Sequence, residues 1–111
     1  MLFKQDWVDA VLGGRKRQTI RLRTPRVRVG RTYAVQTSFR SRAVGRIRIT
    51  AVRRCTLRSL TRADLVAEGW PAASREQFET YFAEINHLHP ERMSAADWEE
   101  LRARPLWCID F

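Results

Sequence analysis

Gly14-Arg-Lys-Arg-Gln-Thr-Ile-Arg-Leu-Arg23 is the stretch from which the rest of the chain can be read. Gln18, Ile20 and Leu22 alternate with Thr19, Arg21 and Arg23, the period-two pattern of a strand with one face buried. The Gly13-Gly14 pair just upstream breaks whatever precedes it and leaves the backbone free to turn. Lys16 and Thr19 are three positions apart, so a regular strand would place them on opposite faces. They can share a face only if residues 15–18 turn or bulge. The segment therefore brings a primary amine, a hydroxyl and guanidinium groups to the mouth of a strand. Such a set suits a polyanion or a polar nucleoside held in a cleft.

Upstream, Trp7, Val8, Val11 and Leu12 share one stripe of a helix over about 5–12, with Asp6 and Asp9 in its first turns. Downstream, Thr24-Pro25 ends the first strand, and a turn at Val29-Gly30 leads to a second strand over 33–37. A third spans about 43–55, where Ile47 and Ile49 alternate with Arg46, Arg48 and Thr50. From residue 60 the period changes. Thr61 caps a short helix through Glu68, which Gly69 closes in a left-handed conformation. Ser74 and Gln77 have capping-box spacing ahead of Phe78, Tyr81, Phe82 and Ile85 at helical intervals. Ser94 opens a last helix carrying Trp98 and Leu101. After Pro105, the apolar Leu106-Trp-Cys-Ile-Asp-Phe111 reads as a strand buried in the sheet. The expected class is α+β: basic strands, a helical block and a returning strand, forming a small closed or partly closed barrel with flanking helices. Residues 1–111 read as one domain.

Charge is divided unevenly. Residues 1–58 hold 16 Lys and Arg against 2 acidic residues, a net of +14, whereas 59–111 hold 5 against 10, a net of −5. The excess is almost all arginine, which binds phosphate in a bidentate manner and stacks on bases. RNA or another single-stranded nucleic acid, or a modified nucleoside, is the expected partner. With 44% apolar residues the chain should fold, yet no apolar run approaches the ~20 residues a membrane span needs. The first residues do not read as an export leader, so the expected location is cytoplasmic. Cys55 and Cys108 form no Cys-x-x-Cys pair and read as two buried thiols.

Among the carboxylates Glu68 is distinctive. It falls in a last helical turn, where the helix dipole disfavours negative charge unless a cation stands nearby. His87 and His89 lack a third histidine and read as loop residues, so neither a metal nor a cofactor is expected. Phosphate-binding Gly-rich loops, dinucleotide fingerprints and Gly-x-Ser-x-Gly elbows are absent.

Gly14-Arg-Lys16-Arg-Gln-Thr19-Ile-Arg21 resembles the Gly-x-Lys-x-x-Thr-x-Arg motif of the ASCH family, a branch of the PUA-like barrels. The Val29-Gly30 turn, the Leu60–Gly69 segment and the closing Trp107–Phe111 strand follow in the family's order. The resemblance implies a barrel with a cleft between sheet and helices, suited to RNA or a single base. Small bacterial members that look like this chain include amidohydrolases that deacetylate N4-acetylcytidine, and their functional Lys, Thr and Glu match Lys16, Thr19 and Glu68. Other members are associated with RNA binding or ribonuclease activity. Two departures add positive charge: Arg17 and Gln18 stand between Lys16 and Thr19, and Arg31 follows Gly30 where an acidic residue is common.

Three functions follow as expectations. The first is nucleic-acid binding in a basic cleft, with Arg15, Arg17, Arg21, Arg23, Arg46 and Arg48 on the backbone and Lys16, Thr19 and Glu68 around a base. The second is an amidohydrolase using those last three residues as its catalytic set, with ribonuclease activity a further alternative. The third is a protein-interaction module with Trp70-Pro71 and Trp98 as exposed anchors.

Overall fold

The computed structural model describes residues 1–111. In chain order its elements are α1 (Gln5–Leu12), β1 (Gln18–Arg21), β2 (Thr32–Val35), β3 (Gly45–Arg48) and β4 (Ala51–Cys55), followed by α2 (Arg62–Ala67), α3 (Arg75–Ile85), α4 (Ala95–Ala103) and β5 (Leu106–Asp110). The mixed α+β class is as read from the sequence. All strand pairs are antiparallel and form two sheets, β1-β5-β4 and β2-β3. Neither ladder closes on itself, so in place of the expected closed barrel there are two open sheets.

The continuous strand expected over 43–55 is divided for the same reason. Its first part pairs with β2 and its second with β5, and the chain changes sheet at Ile49-Thr50. Ile49 is fully buried and its N–H donates to Arg31 O, while Thr50 N–H donates to Asp110 O. The alternation of core and solvent positions runs from Arg46 to Thr50 and is lost in β4, where Arg53 and Arg54 are both exposed.

β5 is the central strand of its sheet and is covered on both faces. Leu106 and Cys108 join Ile20, Leu57, Leu65, Phe78, Phe82 and Leu101 in a core beneath the helices. Ile109, pointing the other way, joins Phe3, Val11, Val35, Ile47 and Ile49 in a second core under α1 and the β2–β3 hairpin. A strand buried on both faces needs apolar side chains at successive positions, and Leu106-Trp-Cys-Ile supplies them.

The three helices of the second half begin at reciprocal capping boxes, Thr61 with Asp64, Ser74 with Gln77 and Ser94 with Asp97. Each box satisfies two backbone donors that would otherwise lack partners. Trp70 and Trp98 are half-buried against the helical core, which removes them as exposed anchors. Cys108 is buried, Cys55 is half-buried, and both are free thiols. No helix is long and apolar enough to cross a membrane.

Candidate functional site

Lys16 does not lie in a strand. Gly14, at φ +78°, reverses the chain after α1, and the N–H groups of Arg15 and Lys16 both donate to Ala10 O at 2.9 Å. Arg17 N–H then donates to Ala67 O at 2.7 Å, fastening this turn to the end of α2. Only at Gln18 does β1 begin. The turn cancels the opposite-face problem of the three-residue spacing, so the Lys16 side chain and Thr19 both reach the same cavity.

Glu68 arrives from the other side as the C-terminal cap of α2, with its side chain only 2% exposed. Lys16 Nζ donates to Glu68 Oε2 at 2.5 Å and to the Glu68 carbonyl at 3.0 Å. One ammonium thus answers both the carboxylate and a helix-terminal carbonyl, the two acceptors that most need a cation there. Glu68 Oε1 is buried and has no hydrogen-bond partner. The following Gly69, at φ +92°, ends the helix, and a Cβ on it would lie 2.7 Å from the Trp7 ring. Trp7 in turn stacks toward the lysine, with Lys16 Nζ 5.1 Å from its ring centroid.

Burial lowers the Lys16 pKa and raises that of Glu68, and in both cases the partner's charge opposes the shift without cancelling it. Burial thus brings the neutral pair, amine and carboxylic acid, closer in free energy to the ion pair. A neutral amine has two N–H bonds and one lone pair. When Lys16 is neutral, the two bonds to Glu68 use both of its donors and its lone pair is left to accept a proton.

Thr19 is 6% exposed, and its Oγ1 accepts from Arg21 Nε at 3.2 Å. With that contact orienting the oxygen, its own proton remains to be given away. Arg21 also donates to Leu2 O at 2.9 Å and lies over the Phe3 ring at 5.5 Å. The cavity of about 190 Å³ is lined by Lys16, Thr19, Arg21, Glu68, Trp7 and Tyr81 together with apolar groups from α3 and the N-terminal segment. Trp7 Nε1 donates to Tyr81 Oη at 2.6 Å, and burial raises the Tyr81 pKa, so its hydroxyl stays protonated and free to donate.

The arginines are not gathered as a group. Arg21 lines the cavity and Arg23 an adjoining groove. Arg15 and Arg17 are exposed on the α1–β1 turn. Arg46 and Arg48 project from the hairpin, where they hydrogen-bond Thr32 Oγ1 and Gly30 O and reach neither cavity nor groove. Alternation along a strand fixes the side a residue faces but not which sheet the strand joins. Helical spacing places Trp7 and Tyr81 in core stripes, whereas in the structure both are half-buried and line the cavity. The available signal was the polar atom each carries, which a buried position must satisfy.

No protein-family model matches the sequence, and no curated protein matches it. Among solved structures, the ASCH domain from Lactobacillus crispatus JV V101 is similar over 93% of this chain and 67% of that one, with a TM-score of 0.62 at 18% identity. The chain therefore has the fold of that ASCH domain.

Proposed function

We propose that the cavity holds one nucleobase and hydrolyses an amide on its exocyclic nitrogen, as in N4-acetylcytidine or a related acylated nucleoside. The observation that carries this reading is the buried Lys16–Glu68 pair facing the same small cavity as Thr19 Oγ1. A purely binding pocket gains little from burying an ion pair, because desolvation offsets most of the Coulombic attraction. An acid–base pair with both pKa values displaced toward neutrality is what proton transfer at moderate pH uses.

In this mechanism the Lys16 lone pair takes the Thr19 hydroxyl proton as Oγ1 attacks the acetyl carbonyl. The tetrahedral intermediate collapses by breaking the C–N bond, and the leaving exocyclic nitrogen receives a proton from Glu68. Lys16 returns the proton to Glu68, and water then cleaves the acetyl-threonine ester, one of its protons restoring the Thr19 hydroxyl and the other leaving with the acetic acid. Protons balance over the cycle, with Glu68 and Lys16 each returning to their starting state. Incubating the purified protein with N4-acetylcytidine and following cytidine by chromatography tests the reading. Turnover that vanishes in Thr19→Val supports it; turnover that survives that change removes the mechanism.

The alternative, holding RNA or single-stranded nucleic acid without chemistry, is favoured by the net +14 of residues 1–58. It requires affinity for unmodified strands to fall with salt, with a slope of about −0.7 per phosphate contacted. An absence of turnover on acylated nucleosides together with salt-dependent strand binding would select it.

A further inference from the structure

Beside the cavity runs a larger groove of about 560 Å³ that no step above uses. The two share Leu2, Arg21, Ile85 and Asn86, so Arg21 stands at the threshold between them. The groove wall carries Arg21, Arg23 and Arg26 and no carboxylate. Its outer edge is Phe39, which is 89% exposed.

Phe39 contributes almost nothing to the core, yet its backbone is firmly held. It sits in a turn flanked by Ser38 and Ser41, which are bonded to each other several times over. Ser41 N–H donates to Ser38 Oγ at 3.1 Å, Ser41 Oγ donates to Ser38 O at 2.9 Å, and Ser41 Oγ accepts from Ser38 N–H at 3.0 Å. Gln36 Nε2 adds a bond to Ser41 O at 2.8 Å. The turn thus presents an aromatic face to solvent with Arg40 beside it and Arg42 just beyond, at little ordering cost to any ligand. An aromatic platform next to a basic trough is the arrangement that holds a single strand, by stacking one base and pairing phosphates with guanidinium groups.

We propose that this groove is a subsite for the nucleotide next to the one in the cavity, with Phe39 stacking its base and Arg23 and Arg26 meeting its phosphates. The natural ligand is then a single-stranded oligonucleotide and not a free nucleoside. The groove also has apolar lining from Leu2, Leu22, Val27, Tyr33 and Ile109, which suits the face of a base, whereas an acyl chain or an apolar peptide would leave the guanidinium groups of Arg21, Arg23 and Arg26 without anionic partners. The proposal rests on reading the cavity as a nucleobase site, and its test separates the two.

Fluorescence anisotropy with labelled hexacytidylate RNA and its deoxyribose counterpart is the measurement, repeated at several salt concentrations. Phe39→Ala should raise Kd about tenfold, since one base–aromatic stack is lost, and Phe39→Trp should restore binding. Arg23→Gln and Arg26→Gln should each flatten the salt slope by about 0.7, whereas Phe39→Ala should leave that slope unchanged. Val66→Ala, an exposed apolar change on α2, is the control and should bind as the parent does. Wild-type affinity in Phe39→Ala, or no binding of either oligonucleotide, overturns the subsite even if N4-acetylcytidine is hydrolysed. Phe39-dependent strand binding without nucleoside turnover upholds the subsite and removes the hydrolase.

Discussion

Lys16 and Glu68 are held 2.5 Å apart with less than a tenth of either side chain exposed, and the cost of that burial should be measurable. The folded-state pKa of Glu68 lies above its ordinary 4.5, so the folded protein binds more protons there than the unfolded chain. The stability Glu68 contributes is complete below about pH 4.5 and is lost as pH rises through the raised value. Lys16 is the mirror case: its pKa lies below 10.5, so its contribution is complete above that pH and is lost as pH falls through the lowered value. Lys16→Met removes the cation that pulls Glu68 back toward its ordinary range. We expect that variant to be about 3–5 kcal/mol less stable at pH 7, and its urea midpoint to fall more steeply than the parent's between pH 5 and pH 8. Adding Glu68→Leu should recover most of the loss and flatten the pH dependence, because no buried charge remains. A Lys16→Met midpoint that tracks the parent across this range would contradict the burial argument. For catalysis, Glu68→Gln should reduce turnover of N4-acetylcytidine by about 10²–10⁴ while leaving the acyl-accepting hydroxyl in place.

At the level of elements, two glycines make a controlled contrast. Gly69 ends α2 at φ +92° with Trp7 directly over its Cα. Gly69→Ala should cost at least about 1–2 kcal/mol from the left-handed backbone alone, and should also displace the indole that flanks Lys16. A chemical melt reads the first effect and a larger drop in turnover reads the second. Gly45, in β3, would bring a Cβ within 2.4 Å of Leu12 Cδ2, which looks worse on distance. Leu12 is 44% exposed and its side chain can swing away, so Gly45→Ala should change stability by no more than about 1 kcal/mol. Elements were also where the sequence was most legible. Thr61, Ser74 and Ser94 announced three helix starts, because a cap is a local arrangement made by residues three apart. The split of residues 43–55 into β3 and β4 was not legible, because it depends on two different partner strands, the neighbouring β2 and the distant β5.

Across the whole molecule, the uneven charge of the two halves is only partly neutralised by contact between them. Arg53 bridges Asp64 and Asp110 at 3.2 and 3.3 Å, and Arg58 meets Glu99 at 2.7 Å. Most other arginines of the first half remain exposed around the turn after α1, the groove and the β2–β3 hairpin. Strand binding should therefore combine a specific groove component with a diffuse one. Arg46→Gln/Arg48→Gln should lower affinity for RNA uniformly across sequences, without altering turnover of a free nucleoside by more than about twofold. A selective loss of nucleoside turnover in that double variant would place the hairpin arginines closer to the chemistry than the fold does.

The sequence by itself determined the order of helices and strands apart from the division of 43–55, the capping residues, the apolar identity of β5 and the three polar residues matched by motif, since these depend on local spacing and composition. Only tertiary structure decided that Lys16 and Glu68, 52 positions apart, form a single buried pair, and that the arginines are distributed over several surfaces. The physical reason is that long-range pairing is fixed by which faces of the two sheets are buried together. Residue periodicity records that a face is buried, and does not record what covers it.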